Sequence, residues 1–257
     1  MLLRFEDEPG VVLITQPAHA WISGQLARHW GNNEFDVLPE EVCLAAELHD
    51  IGFLEWDREP ELNPKTGLPF SFLEMPAASH LDLWKKGIRE MLRFGRYPAL
   101  LVSMHFTNIA RQQWISDEKK TLSKAYLEDQ EQLQESIKIS LYNDYYYGPL
   151  VSEETIVQHQ QLVSVLDWIS LIICLNTKDE KEIPAVPCRQ GCVSMKVTRT
   201  SLNGPGYRLR PWPFRVPEVN LVCEGRRLLH GYPDAASLRE AIRAAAPITL
   251  RFSLRSE

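Results

Sequence analysis

The sequence predicts a mainly α protein, a helical bundle with a smaller β-rich C-terminal appendage (α+β overall), and three observations carry that prediction. Residues 17–177 hold a succession of stretches whose apolar residues recur at helical spacing, such as Leu81, Trp84, Ile88 and Met91. Residues 184–257 change character: Ile248, Leu250, Phe252 and Leu254 alternate with Thr249, Arg251, Ser253 and Arg255, the two-residue period of a half-buried strand. Residues 1–16 carry two short apolar runs, LLRF and VVLIT, on either side of the turn-forming EDEPG, which predicts a β-hairpin able to join the C-terminal strands in one sheet.

Taken in order, Pro17 suits a first helical turn, and Ala18, Trp21, Ile22, Leu26 and Trp30 keep helical spacing up to Gly31. Pro39-Glu40-Glu41 opens the next helix, which runs through His49-Asp50 to Gly52. Residues 53–76 contain four prolines and the turn-like NPKTG, so they read as a long irregular flap that its aromatic residues keep ordered. Helices follow at 78–94, 98–114 and 117–141, the last of them polar and exposed. Ser152, with Glu153 and Glu154 behind it, caps a helix that reaches about Leu175. Beyond the charged linker KDEKE, strands are expected at Cys192–Thr200, Tyr207–Arg210 and Val219–Cys223, with Glu224-Gly225 as a hairpin turn, and a short helix at Ala235–Ala245.

A chain of 257 residues can bury about three quarters of its unfolded surface, so its stability needs no disulfide. A net charge of −6 argues against coating nucleic acid or lying on a membrane, both of which need clustered Lys and Arg. Five cysteines, with Cys43 and Cys174 inside apolar helical patterns, read as reduced thiols and so as a cytoplasmic protein. MLLRFEDEPG lacks the form of a signal peptide. The apolar run Leu162–Leu175 is short for a bilayer span and contains Asp167, so no membrane partner is expected.

The chemistry-bearing residues are His19, His49, Asp50, His80, His105 and Asp167, each on a different expected helix except the adjacent His49-Asp50. Imidazole and carboxylate suit borderline divalent metals, and helical bundles build such sites by projecting ligands inward from facing helices. Asp167 carries the most weight by itself. Apolar turns flank it in LVSVLDWISLIICL, and a buried carboxylate costs several kcal/mol unless it is paired, neutralised or bound to a metal.

In order and spacing these residues resemble the HD-domain metal-dependent phosphohydrolase superfamily over residues 17–177. The ligand pattern there is a His, then His-Asp, then a distant Asp, and members with two metals add two histidines in between. SHLDLWKKGI is similar to the helix opened by the first extra His, and ALLVSMHFTN to the helix holding the second. More closely, HDIGFLEWDREPELNPKTGLPFSF, preceded by QPAHAWISGQLARHW and followed by LLVSMH, resembles an uncharacterised HD-like bacterial family, domain of unknown function 3891, which lends no activity. Two features depart from the superfamily enzymes. His105 is followed by Phe106 where a His or Glu is usual, and the insertion at 115–150 is long.

The resemblance implies an HD-like helical bundle and a hydrolase acting on a small phosphorylated molecule or nucleotide. One or two divalent ions, Mn²⁺, Fe²⁺ or Zn²⁺ rather than Mg²⁺, would be held by the six residues. It gives the central catalytic roles to His49 and Asp50, with Asp50 bridging two ions if both are present. Arg58 and Lys65 in the flap are the expected phosphate-binding residues, and Trp56 a stacking surface. Two alternatives accompany this reading: a di-iron oxygenase of the same superfamily, and a non-catalytic metal- or ligand-binding protein.

Overall fold

Alternating and helical apolar patterns build their elements close to where the sequence places them, in a computed structural model that describes residues 1–113, 116–200 and 206–256. Strands β1 (Leu2–Phe5) and β2 (Val11–Ile14) form the N-terminal hairpin. Helices α1 (Gln16–His29), α2 (Glu40–Leu48), α3 (Leu54–Arg58), α4 (Ala77–Met91), α5 (Arg96–Gln113), α6 (Asp117–Tyr142) and α7 (Glu153–Cys174) follow. The C-terminal part contributes β3 (Lys181–Cys188), β4 (Gly191–Thr200), β5 (Gly206–Arg210), β6 (Glu218–Leu228), α8 (Ala235–Ala244) and β7 (Pro247–Arg255). Residues 114 and 115, the expected end of one helix and start of the insertion, lie outside the described residues, as do 201–205 and 257.

The expected mainly α bundle is corrected by the sheet. About half of the chain is helical, and a seven-stranded, curled, mixed sheet makes up much of the rest, an α/β arrangement. Its order is β1-β2-β6-β7-β5-β4-β3, antiparallel throughout except for the parallel β5/β7 pair. The N-terminal hairpin is therefore two strands of the same sheet, joined through Val11↔Leu228 to Ile14↔Gly225.

Two local readings are corrected with it. Glu224-Gly225 is no turn, since β6 runs straight through it and pairs with β2 on one side and β7 on the other. Gly225 is needed there for room: a Cβ would come within 2.8 Å of Val12 Cγ1. The charged linker ends in a strand, β3, whose two prolines are tolerated because it is the outer strand and, among the described residues, pairs with β4 alone.

One core joins helices and sheet. Leu2, Val12 and Ile14 from the hairpin, Phe252 and Leu254 from β7 and Leu221 from β6 pack in the same cluster as Ile22, Ala45, Leu101 and Leu166 from four helices. The opposite face of the hairpin, through Val11 and Leu13, packs on Leu238 of α8 in a smaller cluster. Burial of both faces explains why VVLI is apolar throughout where a half-buried strand would alternate.

Helix α7 passes through the middle of this assembly. By length and composition it could cross a membrane, yet here it packs against α1, α2, α5 and β3. Arg4 of β1, itself buried, donates to the carbonyl oxygens of Ile173 and Cys174, so the sheet caps the C-terminus of α7.

Candidate metal centre

Five of the six histidine and aspartate residues singled out in the sequence meet where α1, α5 and α7 face the end of α2. His19 lies in the first turns of α1, whose start is fixed by Thr15 capping Ala18 N and by Asp57 of α3 accepting from Gln16 N at 2.5 Å. His49 is the C-cap of α2 and Asp50 follows it, turning the chain into a single 3₁₀ turn at Ile51–Phe53. Gly52 lets α4 come close to this corner, because a Cβ there would overlap Leu83 O and lie 2.7 Å from Gly87 N.

The atoms crowd together. His19 Nε2 is 2.8 Å from Asp50 Oδ2, and His49 Nε2 is 3.6 Å from the same oxygen and 3.3 Å from Asp167 Oδ1. His105 Nε2 is 3.5 Å from Asp167 Oδ2. Among the described residues, ligand atoms of His19, His49 and Asp167 lie within 4.8 Å of one another, a spacing able to hold a metal ion.

Each ring is oriented through its other nitrogen. His49 Nδ1–H donates to Ala46 O at 2.8 Å, which turns Nε2 toward the carboxylates. Ser170 donates its hydroxyl proton to Asp167 O, so at 2.8 Å it accepts from His19 Nδ1–H. Ser164 Oγ lies 2.9 Å from His105 Nδ1 and also accepts from Gln160. Ser164, Asp167 and Ser170 are three residues apart and share a face of α7. That S-x-x-D-x-x-S spacing in an apolar run was a signal for both serines, which the reading of ligands alone passed over.

Electrostatics follow from this packing. Burial opposes charge on His49, but the carboxylates of Asp50 and Asp167 outweigh it and hold the imidazole up at about 9. Burial likewise opposes ionisation of Asp50 and Asp167, yet the neighbouring imidazoles, His49 foremost, keep both carboxyls below their usual range. Burial pushes His105 down to about 4, so at neutral pH it is uncharged.

Two features of this arrangement suit a cation. With its Nδ1 side turned to Ser170, His19 holds Nε2 2.8 Å from Asp50 Oδ2, so an imidazole nitrogen and a carboxylate oxygen stand close enough to share a cation. Among the described residues His105 Nε2 is buried with no hydrogen-bond partner, and a buried unsatisfied nitrogen costs about 1–3 kcal/mol until something satisfies it.

The sixth residue stands apart from this convergence. His80 lines the same cavity of about 210 Å³, but its Nε2–H donates to Phe72 O at 2.8 Å and its ring packs on Phe53 and Trp84. The flap lines the cavity through Phe53, Phe72, Leu73 and Met75, but Arg58, Lys65 and Trp56 are not part of that lining. Arg58 and Lys65 are exposed, and Trp56 is half-buried against the main core. Among the described residues the Lys or Arg that lines the cavity is Lys119, in the first turn of α6. Nothing in the sequence set it apart, since it lies in a run of charges on a polar helix.

No curated protein and no solved structure matches the chain. Residues 1–230 match the family described as "Protein of unknown function (DUF3891)", so the match takes in both the helices that build the centre and most of the sheet. The chain therefore belongs to the DUF3891 family.

Proposed function

We propose that this protein is a metal-dependent hydrolase of the HD type acting on a small phosphorylated molecule or nucleotide. Its centre would hold one divalent ion between His19, His49, Asp50 and Asp167, with Mn²⁺, Fe²⁺ or Zn²⁺ better suited to these donors than Mg²⁺. The observation that carries the reading is the convergence of two imidazoles and a carboxylate within 4.8 Å at the floor of a cavity. Such an ion supplies Lewis acidity, lowering the pKa of water toward neutrality and stabilising charge on a phosphoryl group.

The chain's own residues supply the rest. Two ionised carboxylates against the imidazolium of His49 give the floor an attraction for cations. Lys119 puts a positive charge on the lining where an anionic group of the substrate would sit, the role expected above of Arg58 and Lys65. Phe53, Phe72, Trp84 and Phe106 make apolar walls, which strengthen these charge interactions by keeping water out. Engagement of His80 with Phe72 O favours one ion over the pair that a di-iron oxygenase needs.

The test is metal analysis of the purified protein after reconstitution with Mn²⁺, Fe²⁺ and Zn²⁺, followed by turnover of a panel of phosphate esters. Wild type should retain about one ion per chain, and His49→Ala and Asp167→Ala should lose it. Metal-free wild type after every reconstitution would end the proposal. A bound metal with no ester cleaved would leave metal binding and retire the hydrolase.

A further inference from the structure

A second cavity, of about 370 Å³, shares His105, Ile109, Asp167 and Leu171 with the first, so the metal centre is flanked on two sides. Its chemistry differs. Among its described lining residues there is no Lys or Arg and one carboxylate, Asp167, and the other polar groups are the ring of His105, the amides of Asn108, Gln112 and Gln161, the hydroxyl of Ser164 and the indole of Trp168. The opposite wall is Ile183-Pro184-Ala185 of β3, where the pairing with β4 slips in a bulge and Ala185 takes a φ of +55°. A non-glycine residue in this left-handed region is strained, and a bulge bends a strand away from its ladder.

The polar side chains are set on two facing stripes. Asn108 and Gln112 follow His105 along α5 by three and seven residues, and Gln161, Ser164 and Trp168 lie on the face of α7 that carries Asp167. Gln112 Nε2 donates to Asn108 Oδ1 at 2.7 Å, which directs Asn108 Nδ2 and Gln112 Oε1 elsewhere. An anion would find no Lys or Arg among the described lining residues, and an apolar ligand would strip water from several amides without replacing their hydrogen bonds. An uncharged group bearing both donors and acceptors satisfies them, and Trp168, 46% exposed, offers a flat face for stacking.

We infer that this second cavity binds an uncharged polar ring, a nucleoside or a sugar, edge-on to the Asn108, Gln112 and Gln161 amides and stacked on Trp168. The inference rests on the hydrolase reading only for what the ring is bonded to: a phosphoryl group reaching past Asp167 toward Lys119. The cavity's own chemistry does not depend on a metal.

The experiment uses the full chain, stripped of metal with chelator, and saturation-transfer NMR with two sets of probes. One set is adenosine and cytidine, the other methyl glucoside and ribose. One set is expected to bind, naming the source of the ring, and Gln161→Leu and Trp168→Ala should each weaken that binding about fivefold or more. Lys119→Met should leave it unchanged. Binding by neither set, or equal binding by wild type and both variants, overturns the inference. Because this binding is read without metal, its failure is separate from a failure of the centre to hold an ion.

Discussion

A cation entering the centre must displace the proton that His49 carries, and this sets a pH dependence whose size follows from the structure. Burial alone would depress the imidazole, but Asp50 at 3.6 Å and Asp167 at 3.3 Å hold it at about 9. Below that value each pH unit makes the competing proton about tenfold more abundant, while Asp50 and Asp167, held below the usual carboxylate range, and His105, pushed down to about 4, do not titrate near neutrality. Apparent affinity for Zn²⁺ or Mn²⁺ should therefore rise about a hundredfold from about pH 6 to about pH 8. Chelator competition gives the affinity, and calorimetry in buffers of different ionisation enthalpy counts the proton released. The same shift acts on stability without metal. A pKa raised from the ordinary 6.5 means the contribution, up to about 3 kcal/mol, is complete below about pH 6.5 and is lost as pH rises through 9. Thermal melts of metal-free protein should fall across that window, and melts of metal-loaded protein should not. A flat affinity from pH 6 to 8, with no proton released, would refute the reasoning.

Other perturbations separate the parts of the site. Ser170→Ala removes the acceptor of His19 Nδ1–H and should cost about 10–100-fold in metal affinity with little change in fold, read by chelator competition; unchanged affinity would show that His19 needs no such support. His80→Ala should leave metal content as it is, and loss of the ion would restore His80 to the ligand set. Gly52→Ala drives a methyl group into Leu83 O and Gly87, so α4 must shift, and urea unfolding should show a loss of about 1–3 kcal/mol. A loss below about 0.5 kcal/mol would mean the corner gives way easily.

The helices and the polar residues that converge at the centre were legible for one reason: residues such as His105 and Asp167 interrupt apolar faces whose period is visible in a single window. The extent of the sheet was hidden because its pairings join distant stretches. The hairpin's joining the C-terminal strands is an expectation the topology bears out, but no local pattern tells that Val11–Ile14 pairs with residues 225–228 in particular, or that residues 181–183, at the end of a charged linker, open an outer strand. Hence the helical content was read and the fold class was not. The flap cations illustrate the same limit. Arg58 and Lys65 are near His49-Asp50 in sequence, whereas Lys119, some seventy residues away, reaches the cavity because α6 starts beside it. Proximity along the chain was a poor guide to proximity at the site.

The placement of β7 bears on how the molecule is made. It is the last of the seven strands to leave the ribosome, yet it sits inside the sheet, paired over Glu218–Arg226 with β6 and over Gly206–Arg208 with β5. Until it arrives, a nascent chain holds finished helices beside two open strand edges, the kind of template on which other chains add. Such high contact order favours slow completion, and it would make chaperone demand and expression temperature govern yield more than the helical half suggests.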